Sequence, residues 1–291
     1  MRCELLRGPI GLSAFAPAAA AWLARDPVLH NHLGTAVSQR LDGTLPVEPD
    51  SIWAMLRPDG PGPLVAVATW TPPRPPLVPE LSPEAAECLV DAYLDAGRKL
   101  PGVSGLAPGP SAVAQAWCAR TGGTTQPGMA TRLHRLETLE PPVGVAGQLI
   151  RADWSYRPWV VRSIAGFERD AHGADPSPLP IPGEIEHEAD QLLGAGLIWL
   201  WEVRGRPVSM VAHRPPANGV YRIAMVYTPP EQRGHGYAAA GVAELSQYLL
   251  DVGAGAVVLY TDVDNPTSNG VYQRIGYRPI ADGENWIFTP S

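Results

Sequence analysis

A glycine-bearing turn joins an apolar strand to a helix between residues 226 and 239, and its residue types suit ligand chemistry. Its central residues are Arg233-Gly234-His235-Gly236-Tyr237-Ala238. Glycines let the backbone approach a ligand closely, and the first turn of a helix leaves N–H groups without internal partners. Those groups and the positive helix end favour an anion, typically a pyrophosphate. We therefore predict an anion-binding turn here.

A second polar segment follows one helix and one strand later. Asn265 and Pro266 are typical of a helix N-cap and a first helical residue, and Gly276 is typical of the residue after a helix. Asn269 and Tyr272 are three residues apart, so the helix places them on one face. The two side chains can therefore serve one site.

Two classes of anion-binding protein fit the turn. Gly234, Gly236 and Ala239 formally match the dinucleotide-binding fingerprint, with Asp262 as the acid for the ribose. In that fingerprint the glycines follow the strand directly, whereas here Pro229–Arg233 intervenes. The spacing therefore disfavours a dinucleotide-binding turn and favours the other class of anion-binding protein.

The turn and the second segment together resemble the two acetyl-CoA-binding motifs of the GNAT N-acetyltransferase superfamily. The first motif runs from Val226 to Ala238 and the second from Asn265 to Tyr277. The resemblance covers about Gly147 onwards, and the order of elements agrees with the superfamily fold. It implies an acyltransferase that moves an acetyl group from acetyl-CoA to a primary amine in a ternary complex, with no metal.

The resemblance also implies roles for particular residues. The pantetheine arm would lie along Met225–Thr228, whose backbone N–H groups would polarise the thioester carbonyl. Backbone N–H groups of Arg233–Ala238 would bind the pyrophosphate, and Asn265 and Asn269 would contact the arm. Tyr272 would protonate the departing thiolate as general acid; alternatively it is a helix tyrosine that packs on the sheet. The predicted cofactor-binding residues are Met225, Val226, Tyr227, Thr228, Arg233, Gly234, His235, Gly236, Tyr237, Ala238, Asn265 and Asn269.

The general base, which must accept a proton from the amine, is less well defined. We select Glu202 as the catalytic candidate; its place beside the turn at Arg204–Pro207 equally fits a solvated side chain. Acidic residues in the first turn stabilise a helix through its dipole, so the glutamates at 184–188 can have this structural role instead of a catalytic one. The other candidates are Glu184, Glu186, Glu188, His213 and Asp262.

Hydrophobic periodicity predicts α/β structure around these motifs. A helix from Ala238 to Val252 follows the glycine turn, and a proline-rich loop at 174–183 separates two upstream helices. The predicted strands are Leu197–Val203, Val208–His213, Val220–Thr228, Ala256–Thr261, Tyr277–Ile280 and Trp286–Thr289, and the upstream helices are Asp153–Arg169 and Glu184–Leu193.

The N-terminal half repeats this order in degraded form. It offers a hairpin, a helix, a strand and a helix at Ile52–Leu56, Leu64–Trp70, Pro83–Arg98, Val103–Leu106 and Ser111–Arg120. Thr71-Pro72-Pro73 matches Thr228-Pro229-Pro230, which indicates a duplication, although two ordinary α/β segments can coincide. Proline-rich Arg74–Pro79 then replaces the glycine turn, and prolines offer no N–H to an anion.

These observations predict an α/β (α+β) protein of tandem GNAT-like lobes, each a mixed central sheet flanked by helices. Residues 1–140 form a degenerate lobe without cofactor, and residues 147–291 form the acetyl-CoA-binding acetyltransferase domain. A catalytically silent acyl-CoA-binding or sensing protein and a mycothiol-synthase-like tandem acetyltransferase are the alternatives.

Composition narrows the class of partner. The 291 residues carry 22 Lys+Arg and 29 Asp+Glu, a net charge of −7, and 45% are hydrophobic. This balance disfavours disorder and nucleic-acid binding. Residues 8–24 are uncharged and follow Arg2 and Arg7, which resembles a secretory signal, but Pro9, Gly11 and Pro17 break the apolar helix that a signal needs. The segment is also too short to span a bilayer, so we expect the folded domain to start with a strand and a helix, and no membrane partner. The acceptor is a small-molecule or protein amine, and a homodimer is possible.

The cysteines indicate the compartment. Cys3, Cys88 and Cys118 lie far apart and are odd in number. They fit neither a disulfide framework nor a zinc site, so we predict a reducing, cytoplasmic location.

Overall fold

The computed structural model describes residues 1–172 and 183–291. Two compact units separate within this part of the chain. The first comprises Met1–His134, Thr261–Pro266 and Pro279–Ser291, and the second comprises Arg135–Tyr260 and Thr267–Arg278. The proline-rich loop predicted at 174–183 falls, except for its last residue, outside the described residues.

The first unit begins with a strand and a helix, as predicted, and continues as an α/β unit. Its core contains Phe15, Trp53 and Tyr93, all fully buried. Its elements are β1 (Arg2–Arg7), α1 (Gly8–Leu23), α2 (Asn31–Leu41), β2 (Ile52–Arg57), β3 (Ala66–Trp70), β4 (Leu77–Val78), α3 (Pro83–Asp95), β5 (Gly102–Leu106), α4 (Gly109–Thr121) and β6 (Thr124–Pro127), and β7 (Thr131–Leu136) follows.

The second unit carries both predicted motifs. A single 3₁₀ turn, Trp154–Tyr156, precedes its first helix, which the sequence predicted to start at Asp153. Its elements are β8 (Gln148–Arg151), α5 (Arg157–His172), α6 (Glu184–Gly194), β9 (Ile198–Val203), β10 (Arg206–Ala217), β11 (Val220–Tyr227), α7 (Tyr237–Asp251), β12 (Ala256–Asp262) and α8 (Pro266–Arg274). Strand β13 (Tyr277–Thr289) follows α8.

Both units follow one order: a strand, two helices, three strands, a helix, a strand and a helix. In the first unit β1 to β4 pair antiparallel in sequence, and β4 pairs parallel with β5. In the second unit β8 to β11 pair antiparallel in sequence, and β11 pairs parallel with β12. The predicted mixed sheets flanked by helices are therefore present.

The C-terminal strand belongs mainly to the first unit, which the contiguous predicted lobes did not anticipate. Gly283–Ile287 pairs antiparallel with Gly102–Leu106. Phe288 stacks on Trp117 with ring centroids 4.4 Å apart, which buries an aromatic pair. The two short strands predicted at 277–280 and 286–289 are one strand, β13.

The predicted match between Thr71-Pro72-Pro73 and Thr228-Pro229-Pro230 is wrong. Thr71 follows β3, whereas Thr228 follows β11, whose counterpart in the first unit is β4. The turn that corresponds to 229–236 is therefore Pro79–Ser82. Strand β4 has only two residues, too few to show a strand pattern in the sequence.

Among the described residues, no helix combines the length and the apolar character needed to cross a membrane.

Candidate active site

Strand β11 carries a bulge where the first motif begins. Met225 and Val226 together oppose the single residue Val211 of β10. Met225 has a φ of +52°, in the left-handed region that non-glycine residues adopt at a cost of about 1–3 kcal/mol. Bulges disrupt the ladder locally and are frequent beside active sites.

The pairing between β11 and β12 ends before either strand does. The parallel register joins Val220–Ile223 to Ala256–Leu259, yet β11 continues to Tyr227. Within the described chain, no further ladder joins the two strands. The β12-facing edge of residues 224–227 therefore presents main-chain groups that an extended ligand can use as if it were another strand.

Helix α7 starts after the turn at residues 228–236 that follows this open edge, and the first turn of the helix is uncapped. Gly234 and Gly236 both have a φ of +80°. No side chain caps the helix at Gly236, and the first intrahelical bond runs from the N–H of Ala240 to the carbonyl of Gly236 at 3.0 Å. The N–H groups of residues 237–239 thus lie at the positive end of a helix with no helical acceptor.

The side chain of Arg233 is held against the protein. Its Nε donates to the carbonyl of Thr228 at 2.9 Å, its Nη2 contacts Asp170 of α5, and its guanidinium lies 6.0 Å from the ring centre of Tyr227. Arg233 therefore offers its backbone, rather than its side chain, to an anion at the turn.

His235 and Tyr237 stack on each other. Their ring centroids are 5.2 Å apart and the ring planes differ by 10°. Stacking fixes the direction of both side chains where helix α7 begins.

Helix α8 holds Tyr272 in the apolar core beside α7. The residue is 8% exposed, and its ring meets that of Tyr277 edge-on at 6.3 Å. Burial raises the pKa of Tyr272, so the phenol keeps its proton at neutral pH. Asn269 lies one turn earlier in the same helix, and Asn265 lies just before the helix in a segment grouped with the first unit.

Glu202 has a defined hydrogen-bond partner. Its Oε2 accepts from the hydroxyl of Tyr156 at 3.2 Å. Burial and this contact raise the pKa of Tyr156. Strand alternation places Glu202 on the same sheet face as Leu200, which packs in one apolar cluster with Met225. Glu202 is therefore on the sheet face beneath α5 that also carries the bulge residue.

Two of the other base candidates have structural partners. Glu188 accepts from Nη2 of Arg214 at 3.0 Å. His213 is 7% exposed, and its Nδ1 lies 3.1 Å from the carbonyl of Arg214, which requires an N–H at that nitrogen. Burial lowers the pKa of His213, so the ring is neutral at pH 7.

The corresponding turn of the first unit is closed by its own residues. The hydroxyl of Ser82 accepts from the N–H of Ala85 at 3.2 Å, which caps α3. Pro83 occupies the first helical position and has no N–H. The start of α3 therefore offers fewer free donors than the start of α7.

Two contacts at this site have no recognisable sequence signal. Ser209 donates to the carbonyl of Tyr227 at 3.1 Å, and its hydroxyl lies 2.9 Å from that of Thr228. Asp170 anchors Arg233. Both contacts hold the end of β11 and its turn in place, and both depend on strand register or helix position.

A family model described as the acetyltransferase (GNAT) family matches residues 164–277. The match includes the bulge, the separated strands, the glycine turn and helix α8. The chain therefore contains a domain of the GNAT acetyltransferase family, as its two motifs predicted.

Solved structures show the same fold over the whole chain. A GNAT-family acetyltransferase from Colwellia psychrerythraea is 11% identical with a TM-score of 0.58, covering 99% of this chain and 100% of that one. A GCN5-related N-acetyltransferase from Sphaerobacter thermophilus is 16% identical with a TM-score of 0.59, covering 100% of this chain and 96% of that one. A tandem GNAT protein of the clavulanic acid biosynthesis pathway is 13% identical with a TM-score of 0.58, covering 99% of this chain and 98% of that one. No curated protein matches the sequence.

Proposed function

We propose that this protein transfers an acetyl group from acetyl-CoA to a primary amine, at one site in the second unit. The observation that carries the proposal is the open edge of β11 at the Met225 bulge, which the turn at residues 228–236 joins to the uncapped start of α7. An extended arm ending in a pyrophosphate needs such an edge followed by such a helix end.

The residues present fit acetyl-CoA. The main chain of Met225–Thr228 would hold the pantetheine arm, and the N–H groups of Arg233–Ala238 would hold the pyrophosphate. Acetyl-CoA supplies an activated thioester when bound. The side chains of Asn265 and Asn269 would contact the pantetheine arm. The N–H groups near Val226 would donate to the thioester carbonyl, which favours attack by an amine.

Two side chains are proposed to move protons. The phenol of Tyr272 would donate its proton to the leaving sulfur, and the high pKa caused by burial keeps that proton in place beforehand. The carboxylate of Glu202 would accept a proton from the amine, directly or through water. Its bond to Tyr156 orients the carboxylate from the α5 side of the sheet.

The first unit is proposed to bind no acetyl-CoA. Its equivalent helix start is capped by Ser82 and begins with Pro83, which supports this view. The proposal also includes a tandem arrangement and a small-molecule or protein amine as acceptor. It includes no nucleic-acid or membrane partner, and it allows a homodimer. The three cysteines are free thiols, which supports a cytoplasmic setting.

The test combines calorimetry and an assay of thiol release. We expect one acetyl-CoA per chain by titration, and release of CoA thiol with some members of a pooled set of amines, peptides and aminoglycosides. A stoichiometry of two would contradict the single site. Binding without thiol release across the set would identify a silent acyl-CoA-binding protein instead.

A further inference from the structure

Two arginines face each other across β10 and β11 in the second unit. Arg214 and Arg222 are direct register partners. Like charges directly opposite each other destabilise an antiparallel pair. One of the two is neutralised, because Nη2 of Arg214 donates to Oε1 of Glu188 at 3.0 Å.

The second arginine has no such partner. The Nε of Arg222 is buried without a hydrogen-bond acceptor among the described residues. Its guanidinium lies over the ring of Tyr260, 6.0 Å from the centroid. Burial lowers the pKa of Arg222 to about 10. The neighbouring Tyr260 raises this pKa, whereas the positive charge of Arg214 lowers it further. Arg222 as a whole is partly exposed, and its guanidinium forms no ion pair within the described residues, so this position can take an anion.

The arginine lies on the strand of the proposed reaction site. Arg222 precedes the bulge residue Met225 by three positions, about 10 Å along a strand. Nη2 of Arg214 lies 3.7 Å from the sulfur of Met225, which connects the arginine pair to the bulge. Ala224, on the same sheet face as Arg222, lies between them, is partly exposed and has a short side chain. The strand therefore places no large side chain between the bulge and Arg222 on this face.

We propose that Arg222 binds an anionic group, a carboxylate or a phosphate, of the acyl acceptor. The inference rests on the proposed function and narrows it. The acceptor is then an amine that carries an acidic group within about 10 Å of its nitrogen, the separation of the two positions on the strand. A guanidinium suits this role, because its planar N–H groups match both carboxylate and phosphate oxygens.

The test compares matched pairs of ligands by ligand-observed NMR. One arm uses amino acids and their amides, and the other uses aminoalkyl phosphates and the corresponding amino alcohols, which separates carboxylate from phosphate. The proteins are wild type, Arg222→Gln, Arg222→Lys and, as control, Arg206→Gln at the exposed start of β10. Thermal denaturation of each variant checks folding.

We expect wild type and Arg206→Gln to bind the anionic member of at least one pair tenfold or more tightly than the neutral member, by the strength of a charged hydrogen bond. Arg222→Gln should lose this preference, and Arg222→Lys should keep part of it. Equal binding of both members by wild type, or a preference that survives in Arg222→Gln, would overturn the inference.

Acetyl-CoA binding, measured on the same samples by calorimetry, separates the two proposals. Normal acetyl-CoA binding with no anion preference overturns the acceptor class alone. Absence of acetyl-CoA binding overturns the proposed function, and with it the identification of the anion as part of an acceptor.

Discussion

The glycine turn before α7 permits a test with an internal control. Gly234 has a φ of +80°, and an added Cβ there would meet no heavy atom within 4 Å. Gly253, beyond the other end of α7, has a φ of +95° and equally open surroundings. The two glycines therefore share their backbone requirement and differ in their distance from the proposed pyrophosphate site.

Replacement of either glycine by alanine should cost about 1–2 kcal/mol, because a Cβ is disfavoured in the left-handed region. For a chain of this size, that corresponds to roughly 2–8 °C in melting temperature. Gly234→Ala should also weaken acetyl-CoA binding, because the new methyl group or a shift of the turn removes a hydrogen bond to a charged oxygen. Such a bond contributes about 1.5–3 kcal/mol, or roughly 10- to 150-fold in Kd.

Differential scanning fluorimetry and isothermal titration of acetyl-CoA measure the two effects separately. Gly253→Ala should melt lower but bind acetyl-CoA with the wild-type Kd. A wild-type Kd for Gly234→Ala, or an equal loss of affinity in both variants, would contradict a direct contact between this turn and acetyl-CoA. The first result would mean that the turn does not touch the ligand, and the second that general destabilisation weakens binding.

Two further predictions concern ionisable side chains. Tyr272→Phe should lower kcat by about 10²–10⁴ with little change in acetyl-CoA affinity, and unchanged turnover would leave Tyr272 as a packing residue only. Burial lowers the pKa of His213 below its unfolded value of 6.5, so the unfolded chain binds more protons in acid. The contribution of His213 to the free energy of unfolding should be fully present above about pH 6.5 and should be lost as the pH falls below that value. If the melting temperature of His213→Gln falls with pH as steeply as that of wild type, this prediction is wrong.

Helices α7 and α8 were predictable from the sequence because their signals are local. Apolar residues at three- and four-residue steps and a following glycine predicted 238–252, and α7 spans Tyr237–Asp251. Asn265, Pro266 and Gly276 likewise bracket α8, Pro266–Arg274. Such periodicity and capping depend only on neighbours along the chain.

The features that shape the candidate site were not predictable, because they depend on strand register. Met225 adopts a left-handed conformation that sequence patterns associate with glycine. The separation of β11 from β12 leaves no mark on two apolar strands. The opposition of Arg214 and Arg222 follows from pairing across a hairpin, where a shift of one residue would send the side chains to opposite faces.

The C-terminal strand has a consequence for biosynthesis. Leu106 of β5 pairs with Gly283 of β13, and the sequence of the second unit is synthesised between them. At about 5–20 residues per second, translation of the intervening chain takes on the order of ten seconds or more. During that interval β5 presents one unpaired edge, and an exposed strand edge is a template for aggregation. Pairing with β13 covers this edge only once the last residues of the first unit have been made.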